Sequence, residues 1–326
     1  MTDTGTPARP GFDPELAAAL PAVNEVLPSS IRPEDLERVR ESVAAAFLPI
    51  DEVIGGRAIE YEDRTIPGPA GGPDLVVTVL RPRSPAPNAV GIYHTHGGGM
   101  ILGDRFVGVD QLCEWVDEFG AVAVSVEYRL APEYPDPAPI EDCYAGLVWT
   151  AAHADDLGID HRRLVLAGAS AGGGLAAGLA LASRDRGGPA VAGQMLIYPM
   201  LDDRNETPSS EQFEGIGVWD RISNQTGWDL LLGDRRGTAE VSLYAAPARA
   251  ADLAGLPPAF IDVCSTETFR DEDVAYAGAL WRAGVQTELH VWPGGFHGFD
   301  GMAPTAALSQ AAVAARAHWL ARLLTA

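Results

Sequence analysis

Leu164-Val-Leu-Ala-Gly168-Ala-Ser170-Ala-Gly172-Gly-Gly-Leu-Ala-Ala-Gly178-Leu-Ala180 decides the fold. Its first four residues form an uninterrupted apolar run, the mark of a strand buried on both faces. From Gly173 onward it is alanine, leucine and glycine without a charge, the texture of a buried helix. Between them Gly168-Ala-Ser-Ala-Gly172 is a G-x-S-x-G whose glycines keep Cβ atoms out of a crowded bend. Strand, sharp turn and helix in that order hold a serine on a strained turn with its Oγ exposed, the position of a nucleophile. The uncharged stretch Leu164–Ser183 is long enough to span a bilayer. Its glycines instead divide it into strand, turn and helix.

Outward from this segment the same alternation repeats. Apolar, β-rich runs lie at Asp74–Arg81, Ala89–Tyr93, Ala121–Tyr128, Arg163–Gly168, Gln194–Tyr198, Pro258–Val263 and Thr287–Trp292. Helical patterns fall between most of them, at Asp110–Phe119, Ala138–His153, Ala171–Arg184 and Asp271–Ala283, and a last one at Ala306–Leu324. Strand and helix in alternation, with near-continuous apolar strands, predict a mostly parallel sheet covered on both faces. Two stretches break the rhythm. Residues 1–50 are rich in proline and alanine, with a helix expected from Pro33 to Phe47. Residues 202–240 are polar, carry Phe213, Trp219 and Trp228, and contain no clear strand. Together they are expected to form a cap over the C-terminal edge of the sheet, with the core in residues 51–201 and 241–326.

Composition excludes several classes. With 23 basic against 45 acidic residues in 326, the net charge is −22. Such a field repels nucleic acid and anionic membrane surfaces. All the basic residues are arginine, a bias that GC-rich coding explains without a function. Cys113, Cys143 and Cys264 are scattered and odd in number, which predicts reduced, buried thiols rather than disulfides or a zinc site. The N-terminal Met-Thr-Asp-Thr-Gly-Thr-Pro-Ala-Arg-Pro-Gly-Phe12 has no apolar h-region, so a cytoplasmic protein is expected.

Three further constellations carry chemistry. His96-Gly97-Gly98-Gly99 directly follows a strand. Successive glycines let backbone N–H groups converge on an oxygen that becomes negative in a tetrahedral intermediate, each donor being worth about 3 kcal/mol. The amide of Ala171, just after the serine, is a further donor. The spacing is not that of a dinucleotide loop, so no cofactor is expected. His94 and His96 share a strand face, but no third ligand sits nearby in sequence, so no metal is expected either. Gly294-Gly-Phe-His297-Gly-Phe299 places a histidine on a loop beyond a strand end, where a base of near-neutral pKa can reach the serine. An acid must orient that histidine, and Asp262, Glu267, Asp271, Glu272 and Asp273 are the candidates. Asp262 lies inside the strand, and Asp271 to Asp273 open a helix whose dipole they complement. Glu267 lies in the loop between, and Ser170, Glu267, His297 is the order of an α/β-hydrolase.

These motifs resemble the hormone-sensitive-lipase-like α/β-hydrolases, the bacterial family IV esterases. The match includes His96-Gly-Gly-Gly99, Tyr128-Arg-Leu-Ala-Pro-Glu133 with Pro137-Ala-Pro-Ile-Glu-Asp142, Gly168-Ala-Ser-Ala-Gly-Gly173, Tyr198-Pro-Met-Leu-Asp202 and Gly295-Phe-His-Gly-Phe299. It spans about residues 55–325. The resemblance implies an α/β-hydrolase fold with a mostly parallel eight-stranded sheet and a helical cap. It implies a serine carboxylesterase acting on short- to medium-chain esters through Ser170, His297 and Glu267. Gly98, Gly99 and Ala171 hold the oxyanion, and Gly97 shapes the loop. The Tyr128–Asp142 segment is expected to support the nucleophile. The partner is a small-molecule ester, and homodimers are common among relatives. Amidase, lactonase and thioesterase chemistry use the same triad, and some relatives that lost the histidine are small-molecule receptors. The chain departs from the family in Glu267, where aspartate is typical, in Met100 and in Ala169.

Overall fold

Apolar residues at successive positions, not alternate ones, make the central strands of this chain. In a computed structural model, which describes residues 8–325, they assemble into one eight-stranded sheet. The strands are β1 Ile59–Ile66, β2 Leu75–Pro82, β3 Ala89–Thr95, β4 Val122–Glu127, β5 Ile159–Ala169, β6 Gly193–Ile197, β7 Ala259–Cys264 and β8 Thr287–Trp292. Their order is β1-β2-β4-β3-β5-β6-β7-β8. The first two pairings are antiparallel and the other five parallel. Every residue of β3, β6 and β7 is buried, so both faces of the sheet are covered there.

Helices fill the connections. Before β1 lie α1 Pro14–Val26, α2 Leu36–Ala46 and α3 Ile50–Ile54. Helix α4 Val109–Phe119 links β3 to β4, and α5 Ala138–Ala152 with α6 Ala154–Leu157 links β4 to β5. Then come α7 Ala171–Arg186 after β5, and α8 Pro208–Gln212 with α9 Arg221–Leu232 after β6. Helix α10 Arg270–Arg282 follows β7; α11 Phe299–Met302 and α12 Ala307–Thr325 close the chain. The stretch that could have crossed a bilayer is the end of β5, a turn and α7, whose residues from Ala171 to Ser183 are all buried. Among the described residues no helix is long and apolar enough to cross a membrane.

The structure adjusts three readings. The strand β1, Ile-Glu-Tyr-Glu-Asp-Arg-Thr-Ile, carries four charges and is buried only at its two ends because it is an edge strand, and it lacks the apolar run that marked the others. The expected helix from Pro33 to Phe47 begins instead as a 3-10 turn, Pro33–Asp35, before α2. Helix α10 starts at Arg270, one residue before the expected Asp271. Cys113, Cys143 and Cys264 are buried thiols without a disulfide, and burial pushes the Cys113 thiol up to about 11.

The N-terminal helices and the segment after β6 pack on each other. Ser30 donates to Asp220 at 2.7 Å, and the Ile31 N–H donates to Ser223 Oγ at 2.8 Å. Leu16 and Val218 join Cys264, Phe296 and Phe299 in one apolar cluster. The Asp13 N–H donates to the Gly294 carbonyl at 2.9 Å. Both segments thus sit against loops at the C-terminal ends of the parallel strands. Residues 1–7 of the expected cap lie outside the described residues.

Candidate active site

Ser170 directly follows β5 and caps α7 with φ +58° and ψ −123°, a conformation L-residues rarely adopt. Neighbours hold it there. Its N–H donates to the Ile197 carbonyl at 2.8 Å, and its own carbonyl accepts from Met200 at 2.9 Å and Gly174 at 3.0 Å. The turn is crowded to the limit: a Cβ at Gly172 would lie 2.0 Å from the Thr95 carbonyl oxygen. Only glycine fits there.

The structure brings the three expected side chains together. Ser170 Oγ lies 2.9 Å from His297 Nε2, and His297 Nδ1 lies 3.2 Å from Glu267 Oε2. All three are buried, with Ser170 and His297 each 7% exposed. The other candidate acids have different partners. Asp262 is inside β7 and takes Trp292 Nε1 at 3.1 Å and Arg316 Nε at 2.9 Å. Asp271 accepts from the Ser209 N–H at 2.8 Å. Glu272 accepts from the amides of Leu201 and Asp202. Asp273 is buried, and neither of its oxygens has a partner among the described residues. Burial raises the Glu267 carboxyl above its ordinary range, an effect opposed by His297.

The glycine loop after β3 turns sharply. Gly98, Gly99 and Met100 have φ of +119°, +61° and +66°. A Cβ at Gly97 would stand 3.5 Å from Ser170 Cβ, so this loop flanks the serine. The amides of Gly98, Gly99 and Ala171 donate to no protein acceptor among the described residues. The loop is propped from behind. The Tyr128 hydroxyl donates to the His96 carbonyl at 2.8 Å and its ring stacks on His96 at 4.1 Å. The Ala131 N–H donates to the Met100 carbonyl at 2.9 Å, and Arg40 bonds the carbonyls of Ile101 and Ala131. Asp142 on α5 holds the Arg129 guanidinium with two 2.7 Å bonds. Asp142 is fully buried, while Arg129 keeps part of its side chain in solvent. The Tyr128–Asp142 segment, expected to support the nucleophile, reaches the glycine loop through two hydrogen bonds, from Tyr128 and Ala131.

Sequence reasoning missed several groups at the site. Trp219 has φ +54° and lays its ring edge on the glycine loop. A Cβ at Gly99 would lie 1.9 Å from its Cη2. In the sequence Trp219 was only one of several aromatic residues in need of cover. Tyr198 and Phe269 meet the His297 ring edge to face, at 4.8 Å and 5.1 Å between centroids. The motif position of Tyr198 was visible, but its target was not. His94 and His96 are engaged with Ser125 Oγ and the Gly97 carbonyl. A cavity of about 540 Å3 lies elsewhere, lined by Val43, Phe47, Leu75, Glu127 and Tyr134 among others. It reaches the glycine loop only at Gly103 and Asp104, and Ser170 does not line it.

A serine on a strand–turn–helix bend, an imidazole and a carboxylate meet at the C-terminal edge of a mostly parallel eight-stranded sheet, the architecture of the α/β-hydrolase fold. The family model described as alpha/beta hydrolase fold matches residues 92–301. The chain belongs to this family, in its hormone-sensitive-lipase-like, family IV branch, and is a carboxylic ester hydrolase. It is 34% identical over 314 residues to esterase LipI of Mycobacterium tuberculosis, covering 93% of each chain. It is 34% identical over 296 residues to carboxylesterase NlhH of the same species, covering 90% of each. Among solved structures it is similar to a bacterial heroin esterase, with TM-score 0.89, 38% identity, and 96% and 98% of the two chains covered. A hyperthermophilic esterase from the archaeon Pyrobaculum calidifontis gives TM-score 0.84 at 32% identity, covering 97% and 100%.

Proposed function

We propose that Ser170, His297 and Glu267 form the catalytic triad, acting on small-molecule esters with short to medium acyl chains. The observation that carries this is the unbroken chain of contacts, Ser170 Oγ to His297 Nε2 at 2.9 Å and His297 Nδ1 to Glu267 Oε2 at 3.2 Å. Ser170 attacks the ester carbonyl while His297 takes its proton. His297 returns that proton to the departing alcohol, and water then cleaves the acyl-enzyme by the reverse sequence. Glu267 fixes the tautomer with Nδ1 protonated and stabilises the imidazolium. The amides of Gly98, Gly99 and Ala171 hold the developing oxyanion, and Gly97 gives the loop its closeness to the serine. The N-terminal helices and residues 202–240 act as a cap, and Trp219 against Gly99 supports a wall that restricts acyl length. The test is Ser170→Ala with p-nitrophenyl esters of graded acyl length, beside matched amides, thioesters and lactones. The expected result is a loss of about 10³-fold or more on all active substrates, with an unchanged fold. A variant that still hydrolyses p-nitrophenyl butyrate near the parent rate overturns the assignment.

A further inference from the structure

We propose that Phe269 is a positioning residue for the imidazole of His297, its ring walling that side chain into the orientation that aims Nε2 at Ser170; the inference rests on the triad reading above. The imidazole must serve two oxygens from one place, Ser170 Oγ and then the departing alcohol. A histidine side chain does not hold such a place by itself, because its ring torsion χ2 is broad. Glu267 reaches Nδ1 through one oxygen at 3.2 Å, the long end of the usual range for such a bond. A single contact of that length leaves the ring room to swing about it. Aromatic neighbours limit the swing. Phe269 meets the imidazole at 5.1 Å between centroids with 80° between the ring planes, and Tyr198 meets it at 4.8 Å with 70°. Both fall in the edge-to-face geometry that aromatic pairs favour.

The two rings arrive on different connections and are fixed independently. Tyr198 follows β6; its N–H donates to the Asp262 carbonyl at 2.6 Å, and its hydroxyl donates to Asp300 Oδ1 at 2.9 Å. Arg316 holds Asp300 in turn. Phe269 stands at the N-cap of α10, two residues after Glu267, so one loop supplies both the acid and a wall for the base. Its neighbours pin it. The Phe269 carbonyl accepts from the Asp273 N–H at 3.0 Å, Thr268 Oγ1 donates to the Trp219 carbonyl at 3.0 Å, and the Thr268 carbonyl accepts from Ser209 Oγ at 2.8 Å. Phe269 is fully buried and carries no polar atom in its side chain, so packing is all it can contribute. A core residue of this kind ordinarily serves stability alone; the ring it touches gives Phe269 an effect on the chemical step. Leucine at this position would keep the apolar cover but lose the flat ring against the imidazole, and a small misplacement of a catalytic group costs up to about 10²-fold in rate.

The test is a double-mutant cycle of Phe269→Leu and Glu267→Gln, read as kcat and KM for p-nitrophenyl butyrate. Competent sites are counted by the p-nitrophenolate released when diethyl p-nitrophenyl phosphate phosphorylates Ser170 to completion, so that misfolded protein does not enter kcat. Phe269→Leu should lower kcat per competent site about tenfold and leave KM within about twofold of the parent. Losses from two groups that hold the same ring do not add. In the Glu267→Gln background, where the ring is already loose, Phe269→Leu should therefore cost less than about threefold. A role in stability alone gives no loss per competent site. Phe269→Leu with the parent kcat per site overturns the proposal, and so does its full loss repeated in the Glu267→Gln background. If Phe269→Leu does not fold, Phe269→Met, whose flexible side chain fills irregular gaps, takes its place under the same two criteria. Failure of the triad reading is distinct: the parent then releases no p-nitrophenolate from the phosphate ester, whatever the variants do.

Discussion

Glu267→Asp installs the residue that the family usually carries, and the structure predicts that it impairs this enzyme. Shortening the side chain by one methylene withdraws the carboxylate by about 1.5 Å. Starting from 3.2 Å between Nδ1 and Oε2, the contact opens beyond hydrogen-bond range unless the backbone advances. The backbone is pinned on both sides of position 267. The Ser265 N–H donates to the Trp292 carbonyl at 2.8 Å, Thr266 Oγ1 donates to the Gly295 carbonyl at 2.6 Å, and Thr268 Oγ1 donates to the Trp219 carbonyl at 3.0 Å. Removing the acid's hydrogen bond altogether costs up to about 10⁴ in kcat where it has been measured in such triads. A carboxylate that is withdrawn but still ionised keeps part of its field. The expected loss is about 10–10²-fold in kcat/KM, or about 1.4–2.7 kcal/mol of transition-state stabilisation. The lost methylene also leaves a small buried void, costing about 1 kcal/mol of stability. The assay is kcat/KM for p-nitrophenyl butyrate from pH 5 to 9, beside a thermal unfolding curve. Full parent activity in Glu267→Asp would refute the argument that the loop is fixed, and a loss equal to that of Glu267→Ala would refute the residual field.

Other expectations can be checked in the same laboratory. Gly99→Ala forces a Cβ into the Trp219 ring at a φ that disfavours side chains, so kcat should drop about 10²–10³-fold; pre-steady-state acylation rates near the parent value would sink the role of this loop. Burial, then Glu272, Glu267 and Asp262, raise the Asp273 carboxyl well above its ordinary range. The folded state therefore keeps a proton that the unfolded chain releases, and stability falls as pH rises above the ordinary carboxylate value toward the raised one. Asp273→Asn should equal the parent near pH 4 and exceed it by about 1–3 kcal/mol at pH 8 in urea unfolding; equal midpoints at both pH values refute this. Deleting residues 1–45 should change acyl-length preference or promote aggregation by uncovering the Phe296–Val218 apolar cluster; a soluble truncated enzyme with unaltered preference argues against the cap.

What could be read in the sequence were features whose physics is local. The elbow was legible because a strand, two glycines around a serine and a buried helix are contiguous. The glycine loop was legible because consecutive glycines allow a bend that side chains would block. His297 and Glu267 could be placed because each stands just beyond a recognisable apolar strand. Edge strand β1 escaped because its solvated face replaces the apolar run with Glu60, Glu62 and Arg64. Arg316 escaped for the opposite reason: among alanines on a terminal helix it reads as a water-facing charge, and only the fold brings Asp262 and Asp300 to it. Trp219 was legible as an apolar residue needing cover, but its positive φ and its seat on Gly99 depend on a chain reversal that no short pattern encodes.

The pairing of the N-terminal helices with residues 212–223 also bears on how the chain is made. Ser30 and Asp220 are 190 residues apart. At about 5–20 residues per second, a ribosome needs roughly 10–40 s to synthesise the interval. During that time Leu16 and Ile31, both fully buried in the finished molecule, have emerged without the 212–223 segment that helps cover them. Packing of residues 212–223 on the N-terminal helices is consequently among the late events of biosynthesis, and until then the nascent chain carries uncovered apolar residues that chaperones can hold.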